Sequence, residues 1–278
     1  MTDDFEPHRQ FLIGVAYRML GSFAEAKDIV QDAFLRWSSV ERSTVDKPRA
    51  YLAQIVSRLC LDRMKSAAAR REQYVGTWLP EPLVANASEP VADDLSLALL
   101  LTLERLSPLE RAAFLLHDVF DMDYAVIAET LDRSEAACRQ LATRGREHVR
   151  ETRPRFTPSP ESTAKLAEAF AAALLQGRVD ELAQLLADDA ILYSDGGGKR
   201  LAALNPIYGR DKIVRFLIGV TKKFPVESLR VERVVINGLA GFVIWTDEGP
   251  ETMSFAFDHD RIVGIYAVRN PDKLRHLS

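Results

Sequence analysis

The residues best suited to recognising another molecule are concentrated between Asp123 and Arg150. Five polar side chains in this stretch point away from the apolar positions of a helical pattern: Arg139, Gln140, Arg144, Arg146 and Arg150. Arg and Gln can each form two hydrogen bonds to a base edge, and Arg also binds phosphate. The pattern therefore favours DNA binding, although an ordinary helical hairpin with a solvated basic face would have the same local pattern.

Two short helices joined by a tight turn must position these side chains. Val126 and Leu131 belong to the apolar face of the first helix. Asp132 tolerates the left-handed backbone of a sharp turn, and Ser134 is a suitable N-cap for a helix beginning at Glu135. This spacing predicts a helix-turn-helix.

Composition limits the classes of protein that fit. A chain of 278 residues is long enough for about two domains. Its net charge of −4 argues against a protein that coats nucleic acid non-specifically, so DNA contacts must come from local basic patches. The only cysteines, Cys60 and Cys138, provide neither a disulfide framework nor a metal site. We find no apolar run long enough to span a membrane and no basic leader, and therefore expect a cytoplasmic protein.

The first 71 residues have helical periodicity from residue 5 onward, with a break at Gly21-Ser22. One face of the second helix carries Asp28, Gln31 and Asp32, and a third helix after Pro48 becomes basic through Arg58, Arg63 and Lys65. The acidic face could simply be solvated. The basic end could bind a nucleic-acid backbone, or it could be a solvated helix end favoured by the macrodipole.

Two proline-rich segments interrupt the helical pattern. The first, residues 75–91, contains Trp78 and Leu79 and is too apolar for a passive tether, so we expect it to dock on the protein. A helix is predicted over 93–106, followed by a capping box at Ser107 and Glu110. The second segment covers residues 151–162.

Beyond residue 162 the pattern changes to helices followed by alternating strands. Helices are predicted at 163–176, 179–187 and 210–222, and strands at 190–195, 226–237, 241–247, 251–260 and 261–268. This order predicts an α+β domain in which a curved sheet wraps a helix and encloses a pocket. Asp258, His259 and Asp260 fall at a hairpin tip, so the strands offer no central acid or base, and we expect no catalytic residue.

These features together resemble a known family. Residues 5–71 resemble the sigma-2 domain of extracytoplasmic-function sigma factors, and residues 96–150, with LSPLERAAFLL before the helix-turn-helix, resemble the sigma-4 domain. The motifs TWLPEP, DGGGK and NPDKL resemble the subgroup with a C-terminal SnoaL-like, NTF2-type extension. The implied domains are sigma-2 at 1–74, a linker at 75–92, sigma-4 at 93–152, a linker at 153–162 and the extension at 163–278. The implied fold is two all-α helical domains followed by an α+β cone.

The resemblance also implies roles for single residues. In sigma-2, the residues implied to bind the β′ coiled coil of core RNA polymerase are Asp28, Gln31, Asp32 and Trp37. Those implied to handle the minus-ten element of promoter DNA are Arg58, Arg63 and Lys65, with Arg58 where many members have Asn. In sigma-4, which meets the β flap, those implied to bind the minus-thirty-five element are Ser134, Arg139, Gln140, Arg144 and Arg146. Leu131-Asp132 replaces the common Gly of the turn.

The three short motifs are predicted to form an interdomain, regulatory contact. Their residues are Trp78, Leu79, Pro80, Glu81 and Pro82, then Asp195, Gly196, Gly197, Gly198 and Lys199, then Asn270, Pro271, Asp272, Lys273 and Leu274. The extension would then regulate promoter opening in cis, without a cofactor, and a small ligand in the cone could shift the balance. The alternative is a ligand-sensing helix-turn-helix regulator without sigma activity.

Overall fold

The computed structural model describes residues 4–41, 45–71, 74–85, 97–152, 159–223 and 229–277. The chain divides into two compact units, Met1–Gln73 with Leu99–Arg153, and Tyr74–Ala98 with Pro154–Ser278. The first unit is helical and the second is an α+β domain, as the sequence predicts. Among the described helices, none is both long and apolar enough to cross a membrane.

In its described residues, the first half of the helical unit forms three α-helices. They are α1 (Glu6–Leu20), α2 (Phe23–Ser38) and α3 (Pro48–Arg71). α1 ends at the predicted break, where Gly21 has a left-handed φ of 69°. The side chain of Ser22 then caps α2 by accepting a hydrogen bond from the backbone N–H of Glu25.

The second half of the helical unit contains four helices and one irregular turn. They are α4 (Leu97–Glu104), α5 (Pro108–Phe114), a π-helical turn (Leu115–Val119), α6 (Tyr124–Leu131) and α7 (Glu135–Thr152). The predicted capping box is present at Ser107 and Glu110. The start of the helix predicted over 93–106 lies outside the described residues.

α5 and α7 pack closely because Gly145 lacks a side chain. A Cβ atom at this position would lie 2.8 Å from Cβ of Phe114. α5 is also joined to α1, since the buried Arg111 donates a hydrogen bond of 2.7 Å to the carbonyl oxygen of Met19 and contacts Glu104 at the same distance. The two halves of the helical unit therefore share one packed interior.

The second unit is built on a seven-stranded sheet in the order β1-β4-β5-β6-β7-β2-β3. The strands are β1 (Val84–Ala85), β2 (Leu186–Asp195), β3 (Ile207–Tyr208), β4 (Arg230–Ile236), β5 (Leu239–Thr246), β6 (Gly249–Asp258) and β7 (Arg261–Val268). Three helices accompany them, α8 (Pro160–Leu175), α9 (Val179–Leu185) and α10 (Arg210–Lys223). β2 begins directly after α9, earlier than the predicted Ala190, because Leu186 already pairs with Ile262 of β7.

The core between helices and sheet is aromatic at its centre. The Phe255 ring lies 5.1 Å from the Phe170 ring and 6.1 Å from the Phe242 ring, measured between centroids. Asp258 and Arg261 pair across the β6–β7 hairpin, which places His259 and Asp260 at its exposed tip. The cone is therefore formed, and its centre is occupied by phenylalanine side chains.

Candidate functional site

The helix-turn-helix is formed by α6, a tight turn and α7. Asp132 ends α6 with a left-handed φ of 54°, a conformation that Asp adopts more readily than most residues. The side-chain oxygen of Ser134 accepts a hydrogen bond of 3.2 Å from the backbone N–H of Ala137. Ser134 is therefore an N-cap, and its predicted contact with DNA stays a prediction.

The structure places the four predicted recognition residues of α7 in different surroundings. Gln140 and Arg144 are exposed. Arg139 donates a hydrogen bond of 2.6 Å to the carboxylate of Glu135. Arg146 binds Asp118 at 2.7 Å, and this hydrogen bond is the main reason that the pKa of Arg146 is raised.

The predicted minus-ten residues of α3 differ in whether they are free to meet DNA. Arg58 donates hydrogen bonds to the carbonyl oxygens of Glu129 (2.6 Å) and Thr130 (3.3 Å) at the end of α6. These carbonyl groups lack partners within their own helix, so Arg58 acts as a cap supplied by α3. Arg63 lies 3.5 Å from Glu25, and Lys65 forms an exposed ion pair with Asp62.

The predicted polymerase-binding residues of α2 do not all lie on one surface. Asp28, Gln31 and Asp32 are exposed. Trp37 is only 1% exposed, and its ring packs 5.9 Å from that of Tyr51. This burial corrects the expectation for Trp37, whose side chain supports the helix from the core. Leu35 is 58% exposed on the same helix and was not predicted from the sequence.

Residues 74–85, which we name the strap, are bound through Asp195 to the rest of the second unit, which we call the C-terminal unit. The Asp195 side chain is fully buried. Its carboxylate accepts hydrogen bonds from the Tyr74 hydroxyl (2.5 Å), the Leu79 backbone N–H (2.8 Å) and the Lys273 ammonium group (2.7 Å). The backbone N–H of Gly197 donates a fourth, of 3.0 Å. The first residue of DGGGK therefore joins the strap to the NPDKL segment.

The NPDKL segment contacts the strap through two side chains. The side-chain amide of Asn270 donates a hydrogen bond of 2.9 Å to the Tyr74 hydroxyl, while its oxygen caps the short 3-10 turn Pro271–Lys273. The ammonium group of Lys273 also binds the carbonyl oxygen of Leu79 and lies 4.0 Å from the centre of the Trp78 ring. Leu274 is buried. The three sequence motifs thus meet in one cluster.

Two glycines of DGGGK are required by close approaches, and the third is favoured by its left-handed backbone. A Cβ atom on Gly196 would lie 2.2 Å from the carbonyl oxygen of Arg200, and one on Gly197 would lie 2.3 Å from Nδ2 of Asn270. Gly198 has a φ of 70°, and a Cβ atom there would lie 3.1 Å from Val75 of the strap. The glycines therefore allow the loop to approach both the strap and Asn270.

The other end of the strap pairs with β4. Leu83 exchanges hydrogen bonds with Asn237. Val84, in β1, pairs with Ile236, in β4. Pro80, Glu81 and Pro82 are buried between the two ends, with Glu81 lying 3.7 Å from His276. Because β5, β6 and β7 lie between β4 and β2, the strap spans three strands of the sheet.

Two titratable groups of the cluster have shifted pKa values. Burial, and then the hydrogen bond to Asp195, raise the pKa of Tyr74. The hydrogen bonds from Lys199 and Arg275 lower the pKa of Asp272. The Lys199–Asp272 pair is itself exposed, in contrast to the buried Lys273–Asp195 pair.

A pocket of about 500 Å³ lies beside the DGGGK loop. Its lining includes Val75 of the strap, Gly198, Lys199 and Leu204. Within the described part of the chain, no group of three or more His, Cys, Asp or Glu residues could hold a metal ion.

Several residues of these sites were missed by sequence reasoning. Tyr74 and Asn237 anchor the two ends of the strap, and Asp118 and Tyr124 contact the arginines of α7. All four lie far in sequence from the groups that they bind, and no local pattern marks them.

Comparisons with known proteins agree with this architecture. Residues 5–70 match the family model of Sigma-70 region 2, residues 96–149 match Sigma-70 region 4, and residues 167–276 match the SnoaL-like domain. The ECF RNA polymerase sigma factor SigJ of Mycobacterium tuberculosis is 37% identical over 98% of this chain and 92% of its own length.

Further similarity extends to a second relative and to a solved structure. The probable ECF RNA polymerase sigma factor SigI of the same organism is 37% identical over 64% of each chain. The crystal structure of M. tuberculosis SigJ superposes with a TM-score of 0.81 at 34% identity, covering 99% of this chain and 98% of SigJ.

Proposed function

Because the chain belongs to the extracytoplasmic-function RNA polymerase sigma factors, we propose that it binds core RNA polymerase in the cytoplasm and directs initiation at specific promoters. Its C-terminal SnoaL-like domain regulates this activity in cis. The observation that carries the regulatory part is the buried Asp195 carboxylate, which holds the strap, the segment that follows sigma-2 in the sequence, on the C-terminal unit.

The exposed acidic face of α2 is the proposed contact with core polymerase. Asp28, Gln31 and Asp32 follow one another at helical spacing and are all exposed. A face with two carboxylates favours a basic partner and speeds its association. The coiled coil of β′ is the proposed partner of this face, and the β flap is that of sigma-4.

Promoter DNA is the proposed partner of α3 and α7. The minus-thirty-five element would bind α7, and the minus-ten element would bind the basic end of α3 near Arg63 and Lys65. Arg58 is engaged by the end of α6. Core polymerase must therefore separate α3 from α6 before Arg58 can reach DNA.

Regulation in cis follows from the energetics of the strap. Detaching the strap removes the Tyr74 hydroxyl and the Leu79 N–H from the buried Asp195 carboxylate, while Lys273 stays beside it. A hydrogen bond to a charged group typically contributes about 1.5–3 kcal/mol, and the loss of two of them makes the attached and detached states distinct unless water replaces them. A ligand of the C-terminal domain shifts the balance only if it binds the two states with different affinities.

Transcription with purified core polymerase tests the proposal. The wild-type chain should give specific initiation on a promoter that polymerase alone does not use. Asp195→Ala should change the amount of specific transcript while leaving the helical content of the protein unchanged. Lys165→Ala, which removes an exposed ion pair of the same unit, should give the wild-type amount of transcript. Wild-type output from Asp195→Ala would contradict regulation through the strap.

The same experiment separates sigma activity from the alternative function. A ligand-sensing regulator would bind its operator tightly without polymerase, usually as a dimer. Operator binding of that kind, together with no initiation on addition of core polymerase, would contradict sigma activity.

A further inference from the structure

The basic side chains of α7 fall on two different sides of the helix. Arg139 and Arg146 are seven positions apart and therefore share one side. Gln140 and Arg144 are four positions apart and share the neighbouring side. The two pairs differ in the contacts that they make within the protein.

Arg146 is held along one edge of its guanidinium group. Both Nε and Nη2 lie 2.7 Å from the same carboxylate oxygen of Asp118. An Arg reads guanine by presenting two parallel N–H groups. The edge that contains Nε is already occupied in Arg146, so Asp118 fixes the plane of the guanidinium group and the direction of its remaining N–H groups.

Arg139 is held by two neighbours. Its Nη2 donates to Glu135, and its guanidinium carbon lies 5.2 Å from the centre of the Tyr124 ring. A cation above an aromatic ring is held weakly but directionally. The side chain of Arg139 is therefore directed toward the start of α6.

Tyr124 is itself fixed by the π-helical turn. The ring of His117 stacks on it with centroids 4.0 Å apart, and Nδ1 of His117 donates to the carbonyl oxygen of Met122 at 3.0 Å. A π-turn inserts an extra residue into a helix and often marks a functional position. In this chain the turn carries both His117, which stacks on Tyr124, and Asp118, which binds Arg146 of α7.

Gln140 and Arg144 lack such close restraints. Arg144 has 66% of its side chain exposed, and the carboxylate of Glu110 lies at 4.0 Å, which allows only a weak ion pair. Gln140 is exposed, as is Thr143 between them. These side chains can adopt the planar, two-bond geometry that base edges require.

We infer that Gln140 and Arg144 are the specificity-determining residues that read base edges of the upstream promoter element, whereas Arg139 and Arg146 bind phosphates and position the helix. The inference rests on the proposed sigma activity. Asp118 and Tyr124 are positioning residues for the two arginines. Recognition is thus divided between a restrained side of α7 and an unrestrained side.

Transcription from a promoter library with a randomised upstream element tests this division. Core polymerase and wild-type protein should enrich a defined sequence. Gln140→Ala and Arg144→Ala should each lose the preference at one or two base pairs, by about ten- to a hundred-fold, because each removes a bidentate contact. Arg139→Ala and Arg146→Ala should lower the yield of all sequences and keep their ranking.

Salt dependence provides a second measurement for the arginine variants. Each phosphate contact that is lost should reduce the slope of log affinity against log salt concentration by about one unit. Asp118→Asn, which leaves α7 unchanged in sequence, should also keep the preferred sequence.

A changed preference in Arg139→Ala or Arg146→Ala, with an unchanged one in Gln140→Ala and Arg144→Ala, would overturn the inference. No initiation by the wild-type protein would instead overturn the proposed function, and the inference with it.

Discussion

The ammonium group of Lys273 lies 2.7 Å from the carboxylate of Asp195, and both groups are almost or entirely withdrawn from solvent. A buried ion pair is stable only when the remaining hydrogen-bonding positions are also filled. The Tyr74 hydroxyl and the Leu79 N–H fill two of them. The pair therefore depends on the strap, and the strap depends on the pair.

Lys273→Met should release the strap. The substitution keeps most of the side-chain volume and leaves the Asp195 charge buried without its cation, which should cost about 3–5 kcal/mol. Hydrogen exchange should accelerate at the Leu79 amide and across residues 74–85, while α7 keeps its protection. The matched control is Lys199→Met, because the Lys199–Asp272 pair is exposed and should contribute less than about 1 kcal/mol. Equal effects of the two substitutions would contradict this role of Lys273.

Gly197→Ala should destabilise the C-terminal unit more than Gly177→Ala. Both glycines have positive φ, 60° and 66°, so both substitutions incur a backbone strain of about 1–2 kcal/mol. Only at Gly197 would the new methyl group meet another atom, Nδ2 of Asn270, which adds about 1–3 kcal/mol. Urea unfolding, followed by a spectroscopic probe in this unit, measures the free energy of unfolding of each variant. Similar losses of unfolding free energy in the two variants would show that the DGGGK loop can move away from Asn270.

Stability should fall at high pH through Tyr74. Its pKa is raised in the folded protein, so the folded state retains the phenolic proton at pH values where the unfolded chain has lost it. This contribution is present below the unfolded pKa of about 10 and is lost as the pH rises toward the higher folded value. The free energy of unfolding should therefore decline more steeply above pH 10 in wild type than in Tyr74→Phe. In the control Tyr208→Phe, whose side chain is 59% exposed, the free energy of unfolding should depend on pH as in wild type.

Fixing α3 to α6 should block initiation. Gln54 and Glu129 approach each other at 3.4 Å, so cysteines at these positions can be joined by a short, reducible thiol reagent. The native Cys60 and Cys138 are buried and should not react. Initiation should fail in the linked protein and return on reduction, because Arg58 then regains access to DNA. A link between cysteines at positions 161 and 165 within α8 should have no effect, and full activity of the α3–α6 link would contradict the proposed separation.

Asp32→Arg should weaken binding to core polymerase. Charge reversal on the acidic face places a cation opposite a basic partner, which we expect to lower affinity by about tenfold or more. Asp46→Arg reverses another exposed carboxylate away from α2 and serves as the control. Fluorescence anisotropy with labelled protein measures the affinity of each variant for core polymerase. Equal affinities of Asp32→Arg and Asp46→Arg would show that the acidic face does not contact core polymerase.

Local sequence signals predicted the local structure well. The break at Gly21-Ser22, the capping box at Ser107 and the turn at Asp132 each depend on residues within one helical turn, so their physical cause is contained in the segment itself. The π-helical turn was missed because LLHDV has the composition of an ordinary helix, so no local signal marks the extra residue.

Contacts between distant segments were predictable only in part. The motifs indicated that the strap would dock near the DGGGK loop, yet Tyr74 and Asp195 are 121 positions apart and nothing local pairs them. Trp37 shows the opposite error, since a residue assigned to a surface lies in the core. Sequence spacing identifies which residues share a helix face, whereas burial depends on what the rest of the chain packs against that face.

Under the proposed regulation in cis, the strap connects the C-terminal domain to the promoter by a reciprocal thermodynamic linkage. If polymerase and DNA favour the detached strap, any molecule that prefers the C-terminal domain without its strap must strengthen promoter binding. By linkage, promoter binding must strengthen the affinity for that molecule by the same factor. An effector could therefore be sought by comparing its affinity for the free protein with that for the promoter-bound complex.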